Sequence, residues 1–197
     1  MNEFRRICVY CGSSNGARPH YVEQAQLLGS TLAARGIGLI YGGGGIGLMG
    51  ACAAAVLQAG GEVIGVIPHS LALKERLNDL VTDLRVVHTM HERKSLMVEL
   101  ADGFIALPGG FGTFDELFET ITWAQLGIHQ KPIGMLNVEG YFDPFLALVE
   151  RAVSEGFVLA KYRELIQVST DVNDLLNRLC QHEPLEGLVK WLDLRET

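Results

Sequence analysis

The stretch Leu107-Pro108-Gly109-Gly110-Phe111-Gly112-Thr113-Phe114-Asp115-Glu116 joins an apolar run to a helical pattern. The apolar residues over 103–107 predict a buried strand, and the spacing after the loop predicts a helix that begins near Thr113. The buried face of that helix is predicted to carry Phe114, Leu117, Phe118 and Ile121. Three glycines in four positions let a bound group approach the backbone closely, which a side chain would obstruct. The start of a helix also presents unpaired N–H groups and the positive end of its dipole. The stretch therefore predicts a strand, an anion-binding loop and a helix.

Two residues of this stretch have a structural alternative. Thr113 and Glu116 stand at the spacing of a capping box, in which the two side chains accept hydrogen bonds from backbone N–H groups at the start of a helix. In the functional alternative, Glu116 places a carboxylate one turn into the helix, beside a bound phosphate. The stretch alone is compatible with both.

Strand and helix patterns alternate along the rest of the chain. Besides 103–107, apolar runs predict strands over 7–10, 37–41, 62–67, 84–87, 133–137 and 165–168. Helical patterns follow most of these strands, and such alternation is typical of a parallel sheet with helices on both faces. We therefore predict an α/β protein with a Rossmann-like three-layer fold of about seven parallel strands. Its length favours a single nucleotide-binding domain over residues 1–197.

Loops of small residues follow the first two predicted strands. Gly12–Gly16 contains serines, and Gly42–Gly47 precedes an alanine-rich helix. Because the carboxyl ends of parallel strands share one edge of the sheet, Ser13, Gly43 and Gly44 are candidate contacts for a phosphate or sugar. The alternatives are that the serines cap the next helix and that the glycines allow close packing of helix on sheet.

Two adjacent cations, Arg93 and Lys94, stand near the start of a predicted helix over 88–100. Positive side chains there oppose the helix dipole, whose positive end they occupy. This placement favours a nearby anion over a solvated basic turn.

Net charge and hydrophobicity indicate which kinds of partner the protein is unsuited to bind. A net charge of −7 argues against sequence-independent binding of nucleic acid, which relies on cations that neutralise phosphates. No window approaches the ~20 apolar residues that cross a bilayer, and the N-terminus does not read as a signal peptide. We therefore expect a cytoplasmic protein without a nucleic-acid or membrane partner.

Four scattered cysteines, with one C-x-x-C and no second pair, indicate reduced thiols and not a disulfide scaffold or zinc site.

Residues 108–116 resemble the signature Pro-Gly-Gly-x-Gly-Thr-x-x-Glu of the LOG (Lonely Guy) family. Its members are phosphoribohydrolases that release the base from cytokinin riboside 5′-monophosphates, and they were long described as lysine decarboxylases. Further segments match in the family's order, and they are Tyr41-Gly42-Gly43-Gly44, Met90-His91-Glu92-Arg93-Lys94 and Ile121-Thr122-Trp123-Ala124-Gln125-Leu126-Gly127. The resemblance covers residues 6–170.

The resemblance implies that Arg93 and Glu116 are catalytic. Together with the loop candidates, the substrate-binding residues are then Ser13, Gly43, Gly44, Glu75, Arg93, Lys94, Gly109, Gly110, Phe111, Gly112, Thr113, Phe114, Asp115, Glu116 and Thr122. The family more often has Glu at position 115, which its motif leaves free, so Asp115 is expected to tune the site and not to abolish it. The family is usually dimeric, and a homodimer with residues of both chains near the site is expected. No metal ion or organic cofactor is expected.

These residues suit the hydrolysis of an N-glycosidic bond. Cleavage passes through a positively charged, oxocarbenium-like sugar, which a carboxylate such as Glu116 stabilises while it orients or deprotonates water. Arg93 would favour charge that develops on the departing base, while Lys94 and the amides of residues 110–113 would hold the phosphate. The resemblance implies that the substrates are adenosine 5′-monophosphates, with or without an N6 substituent. The products are free cytokinin or adenine and ribose 5-phosphate.

Two other functions compete with this hypothesis. A nucleotide-binding carrier or sensor on the same fold would also need phosphate loops, because such loops bind without catalysing. A carboxylate beside an anion has little use in a carrier, so the combination of Arg93 with Glu116 favours an enzyme.

Lysine decarboxylation would need a lysine that forms a Schiff base with pyridoxal phosphate, and no lysine lies in a sequence context typical of a site for that cofactor.

Overall fold

In the computed structural model, which describes residues 3–72, 81 and 83–185, seven strands form one sheet. The strands are β1 (Arg6–Tyr10), β2 (Gly38–Tyr41), β3 (Val63–Pro68), β4 (Asp83–Val87), β5 (Gly103–Ala106), β6 (Ile133–Leu136) and β7 (Ile166–Ser169). Their order is β4-β3-β2-β1-β5-β6-β7, and every neighbouring pair is parallel. The chain therefore winds outward from β1 in both directions, and the predicted parallel sheet of a Rossmann-like fold is confirmed.

Helices cover both faces of this sheet. They are α1 (Pro19–Ala34), α2 (Gly47–Gln58), α3 (His69–Ala72), α4 (Met90–Leu100), α5 (Phe111–Gln125), α6 (Asp143–Ser154) and α7 (Val172–Cys180), with 3-10 helices over Val138–Gly140 and Ala160–Leu165. Successive side chains of β1 enter different cores because strand residues alternate in direction. Ile7 packs with α1, α2 and α7, whereas Cys8 packs with α4, α5 and α6. The predicted helices on both faces are confirmed.

The helix of the glycine motif begins two residues earlier than predicted. α5 starts at Phe111, and its N-cap residue is Gly110. Glycine has no side chain that could cap the helix, so the sequence carries no capping signal at this position. Thr113 is thus the third residue of the helix, and Glu116 is the sixth. The capping-box alternative for these two residues is wrong.

Side-chain capping occurs instead at α4. The Thr89 hydroxyl accepts a hydrogen bond from the Glu92 N–H (3.1 Å), and the Glu92 carboxylate accepts one from the His88 N–H (2.8 Å). The helix therefore begins at Met90 and not at residue 88. This cap places Arg93 in the first turn of α4.

The buried face of α5 also differs from the predicted stripe of Phe114, Leu117, Phe118 and Ile121. Its buried residues are Thr113, Leu117, Thr120 and Ala124. Phe118 is 44% exposed and contacts Phe145, with ring centroids 5.0 Å apart. Threonines occupy part of the buried face because a hydroxyl group that has a hydrogen-bond partner can be buried like an apolar group.

Some predicted features fall outside the described residues, and Glu75 is the one that matters for function. Among the helices that the structure does describe, none is long and apolar enough to cross a membrane.

Candidate active site

Three loops meet at the carboxyl edge of the sheet, those after β1, β2 and β5. The Gly12 N–H donates to the Pro108 carbonyl (3.0 Å), and the Gly12 carbonyl accepts from the Leu48 N–H (3.0 Å). Gly47 lies against Ser13, since a Cβ at Gly47 would come within 2.3 Å of the Ser13 carbonyl carbon. The loop after β1 is therefore held between the other two.

The candidates in the first two loops differ in exposure. Ser13 is exposed, whereas Gly43 and Gly44 are buried. Gly43 has a φ of +81°, and a Cβ there would lie 3.2 Å from the Ile67 side chain. This glycine has a structural reason to be present, because side chains rarely adopt such a φ. Contact of the three residues with a substrate stays a prediction.

Arg93 and Glu116 form an ion pair between α4 and α5. Arg93 Nη2 lies 3.1 Å from Glu116 Oε1, and the two side chains are only 12% and 11% exposed. Arg93 Nε donates to the carbonyl of Val66, a residue of β3 (3.2 Å). Gly42 makes room for the guanidinium, since a Cβ at Gly42 would lie 2.2 Å from Nη2. Strand, loop and helix thus fix the position of the cation.

Burial raises the pKa of the Glu116 carboxyl above its usual value near 4.5, and the Arg93 guanidinium opposes that shift. A carboxyl group whose pKa lies closer to neutrality is a better proton acceptor than a solvated one. The Arg93 guanidinium supplies a fixed positive charge. A buried acid with one charged partner is an arrangement that clusters at functional sites.

Lys94 forms a second connection between the same two helices. Its Nζ lies 3.1 Å from Asp115 Oδ2 and 3.1 Å from Glu119 Oε2, and the Lys94 side chain is 10% exposed. Burial alone would lower the pKa of Lys94, but the hydrogen bonds to Glu119 and Asp115 outweigh burial and raise it. Lys94 is therefore charged, and a phosphate would have to share it with two carboxylates. Its binding to a phosphate stays a prediction.

The glycines of the motif on α5 have different surroundings. A Cβ at Gly109 would lie 2.2 Å from Thr113 Oγ1 and 2.8 Å from the Gly12 nitrogen. At Gly110 and Gly112, a Cβ would meet no atom of the described residues within 4 Å. The first hydrogen bond of the helix runs from the Phe114 N–H to the Gly110 carbonyl (3.1 Å). The preceding N–H groups have no partner within the helix, and open space borders the loop.

The remaining candidates on α5 differ in their exposure to solvent. Phe111 is 92% exposed, and Phe114 is half-buried. Thr122 is exposed, and its hydroxyl donates to the Phe118 carbonyl (2.7 Å). Six residues separate Thr122 from Glu116, which places it about 120° around the helix. Thr122 therefore lies on a different face of α5 from Glu116, and its contact with a substrate stays a prediction.

Polar residues beneath α5 were missed by sequence reasoning. Thr120 Oγ1 donates to the Glu116 carbonyl (2.8 Å) and is hydrogen-bonded to the Tyr10 hydroxyl (3.0 Å). His129 Nδ1 accepts from the Lys131 N–H, so its Nε2 donates to the Thr120 carbonyl (3.1 Å). Burial lowers the pKa of His129 to about 4, which keeps the ring neutral. The sequence feature that could have indicated these contacts is the presence of Thr113 and Thr120 on the buried face of α5.

The described part of the chain contains no cluster of three or more His, Cys, Asp or Glu side chains that could hold a metal ion. All four cysteines, which lie within that part, are free thiols, and Cys8, Cys11 and Cys52 are buried.

Comparison with known proteins gives a family match and several similar sequences. A family model described as "Possible lysine decarboxylase" matches residues 49–179. The chain is 52% identical to the cytokinin riboside 5′-monophosphate phosphoribohydrolase LOG of Oryza sativa subsp. japonica, over 93% of this chain and 76% of that protein. It is 48% identical to LOG7 and to LOG1 of Arabidopsis thaliana, which carry the same enzyme name. Those matches cover 93% and 96% of this chain, and 84% and 91% of the two proteins.

Solved structures with a similar backbone have much lower identity. The molybdenum cofactor carrier protein of Chlamydomonas reinhardtii is 20% identical with a TM-score of 0.68, and the match covers 91% of this chain and all of that one. The molybdenum cofactor binding protein of Rippkaea orientalis is 21% identical with the same TM-score, over 90% of this chain and 96% of that one. Similarity at this level shows a shared fold alone.

The neighbouring glycines of the motif should respond differently to alanine. Gly109→Ala should lower the free energy of unfolding by about 2 kcal/mol, because its methyl group would overlap Thr113 and the Gly12 backbone. Gly110→Ala should change it by less than about 0.5 kcal/mol, since no described atom stands in the way. Urea unfolding of both variants measures the difference. Equal destabilisation would show that the loop is packed differently.

Proposed function

The chain belongs to the LOG family of cytokinin riboside 5′-monophosphate phosphoribohydrolases, and on that premise we propose that Arg93 and Glu116 are its catalytic pair. The protein is an N-glycosyl hydrolase that acts on N6-modified adenosine 5′-monophosphates, and we propose that it also accepts plain adenosine 5′-monophosphate. The observation that supports the catalytic pair is the 3.1 Å ion pair between two side chains that are nearly buried. The ion pair belongs to the same helix start as a glycine loop whose N–H groups have no hydrogen-bond partner among the described residues.

We propose that the loop at the start of α5 binds the 5′-phosphate. The N–H groups of Phe111, Gly112 and Thr113 precede the first helical hydrogen bond, and the helix dipole favours an anion there. Gly110 and Gly112 border open space among the described residues. The fold does not itself fill that space, and a phosphate held close to the backbone would require it.

Glu116 then lies near the sugar, where charge develops during cleavage. As the C1′–N bond lengthens, the bond's electrons leave with the base and the ribosyl group becomes cationic. The ionised carboxylate stabilises this cation and accepts a proton from the attacking water, whose oxygen bonds to C1′. The departing base takes up a proton. Water is thus divided between ribose 5-phosphate and the free base.

Arg93 has two roles in this proposal. Its guanidinium favours the negative charge that develops on the departing base. It also holds Glu116 in place and favours the ionised form of that carboxyl. The carbonyl of Val66 and the space above Gly42 keep the guanidinium in one position before substrate arrives. Such preorganisation is what electrostatic catalysis requires.

The carrier alternative is supported only by the similarity in fold to molybdenum cofactor proteins at 20–21% identity. No described contact favours it, and a carrier has little use for a carboxylate beside the anion loop, whereas a hydrolase needs one. We further propose that residues 1–197 act as one nucleotide-binding domain in the cytoplasm, without a nucleic-acid or membrane partner.

We propose that the protein is a homodimer in which the outer stripe of α5 contacts the second copy. Phe111 and Phe118 are seven residues apart and therefore share one face of the helix, on which they are 92% and 44% exposed. Thr122 continues that stripe. A second copy on this face would cover the two rings and would bring Thr122 towards the partner's site, as the family resemblance implies.

Removal of the Glu116 charge should abolish most of the activity. Glu116→Gln keeps the shape of the side chain but cannot accept the proton or stabilise the cation, so kcat should fall by about 10³-fold. Release of free base from isopentenyladenosine 5′-monophosphate and from AMP measures it. A matched control is Glu150→Gln, which breaks an exposed Arg–Glu pair with Arg163 and should retain full activity. Equal base release by wild type and Glu116→Gln would refute the assignment.

The pH profile should contain the titration of Glu116. The catalytic form is ionised, and burial raises the pKa of this carboxyl, so kcat/KM should fall with decreasing pH along a limb centred above pH 4.5. Below that limb the rate should drop about tenfold per pH unit. The limb should be absent from the residual activity of Glu116→Gln. A flat wild-type profile down to pH 4.5 would contradict the proposal.

Charge placed on the outer stripe of α5 should separate the two subunits. Phe118→Lys should sediment as a monomer in analytical ultracentrifugation at micromolar concentration, where the wild type should be a dimer. Phe157→Lys is the control, because Phe157 is 85% exposed and lies after the end of α6, outside α5. A monomeric wild type, or a Phe118→Lys variant that stays dimeric, would exclude the proposed interface.

A further inference from the structure

We propose that Tyr141 is a positioning residue that holds the phosphate-binding loop in its anion-binding orientation. The inference rests on the proposed function of the loop at the start of α5. Tyr141 lies in the loop after β6, and its hydroxyl donates a hydrogen bond to the Gly109 carbonyl. Tyr141 is 32 residues from Gly109 in sequence and lies outside the four segments quoted for the family resemblance.

The loop after β6 is built to hold Tyr141 rigidly. The Asn137 side chain accepts from the Phe142 N–H (2.8 Å) and donates to Asp143 Oδ1 (2.7 Å), which closes the loop on both sides of Tyr141. Glu139 has a φ of 50°, in the left-handed region that side chains rarely adopt, and its carboxylate pairs with Arg18. A strained backbone persists only where surrounding contacts enforce it.

The ring of Tyr141 is fixed by aromatic contacts. It meets the Phe142 ring edge-on with centroids 5.1 Å apart, and the Tyr21 ring edge-on at 6.0 Å. Phe142 is 1% exposed and belongs to the core. The hydroxyl is therefore presented to the Gly109 carbonyl by a ring with little freedom to move.

The hydrogen bond orients the peptide unit between Gly109 and Gly110. In a trans peptide the carbonyl and the next N–H point in opposite directions. Because the Gly109 carbonyl accepts the hydrogen bond from the Tyr141 hydroxyl, the Gly110 N–H points away from the tyrosine. This N–H donates to no other group in the described part of the chain. It is a free donor directly before the N–H groups of the first turn of α5.

This peptide unit lies between two glycines, whose φ and ψ angles are the least restricted of any residue. Gly109 is wedged between Gly12 and Thr113, whereas a Cβ at Gly110 would contact no other described residue beyond its chain neighbours. Without the Tyr141 hydroxyl, the peptide can rotate and exchange its N–H for a carbonyl oxygen, which repels a phosphate. Tyr141 thus acts through Gly109 on the affinity for the phosphate and not on the chemical step.

The test compares Tyr141→Phe with wild type in steady-state hydrolysis of isopentenyladenosine 5′-monophosphate. KM and the inhibition constant of ribose 5-phosphate should both rise roughly five- to tenfold, the effect of one lost hydrogen bond. The value of kcat should stay within about twofold, and the inhibition constant of free adenine should not change, because neither depends on the phosphate. Tyr21→Phe, which keeps the ring that packs on Tyr141, is the control and should behave as wild type.

Other outcomes would overturn the proposal. Unchanged affinity for ribose 5-phosphate would do so, and so would an equal loss of affinity for ribose 5-phosphate and adenine, which would indicate general distortion. A lower melting temperature with unchanged KM would show that the hydroxyl only stabilises the fold. If the wild type releases no base, the proposed function fails. The role of Tyr141 is then decided by calorimetric titration of both proteins with ribose 5-phosphate, where equal dissociation constants refute it.

Discussion

The ion pair between Arg93 and Glu116 is the constraint on which the site depends. Removing two charges from water costs several kcal/mol for each ion, and their attraction offsets that cost only when the geometry is good and other polar partners are present. The structure supplies those partners through the Val66 carbonyl and supplies the space through Gly42. The capped start of α4 and the hydrogen-bonded underside of α5 hold the two helices that carry the pair. An arrangement this costly contributes little to stability, and its value lies in a fixed cation beside a carboxylate that can accept a proton.

Parallel strands explain why residues from distant segments form one site. Because β1, β2 and β5 end at the same edge, their loops touch, and the backbone contacts of Gly12 with the loop after β5 and with the start of α2 hold them together. The glycines of these loops serve two different purposes. Some, such as Gly42 and Gly109, leave room for protein atoms, whereas Gly110 borders open space. That second kind of glycine is the feature expected where a ligand must approach the backbone.

The alternation of strands and helices along the chain, and with it the parallel sheet, could be predicted because strand periodicity and glycine loops are local signals. The start of α5 at Phe111 could not, since its N-cap residue Gly110 has no side chain. Phe118 was assigned to the wrong face because the inward position of Thr120 depends on Tyr10, which is 110 residues away. The same holds for the contact of Tyr141 with Gly109, which spans 32 residues and has no local pattern. The pairing of Arg93 with Glu116 was implied by family resemblance, while the carboxylate partners of Lys94 came only from the structure.

The most direct measurement is a crystal structure of the Glu116→Gln variant with intact AMP bound. The account predicts that the phosphate accepts hydrogen bonds from the N–H groups of residues 110–113. It also predicts that C1′ of the ribose lies within about 4 Å of the residue 116 side chain, the distance at which a group can act on the reacting carbon. A phosphate bound elsewhere on the protein, or a ribose turned away from residue 116, would contradict the account.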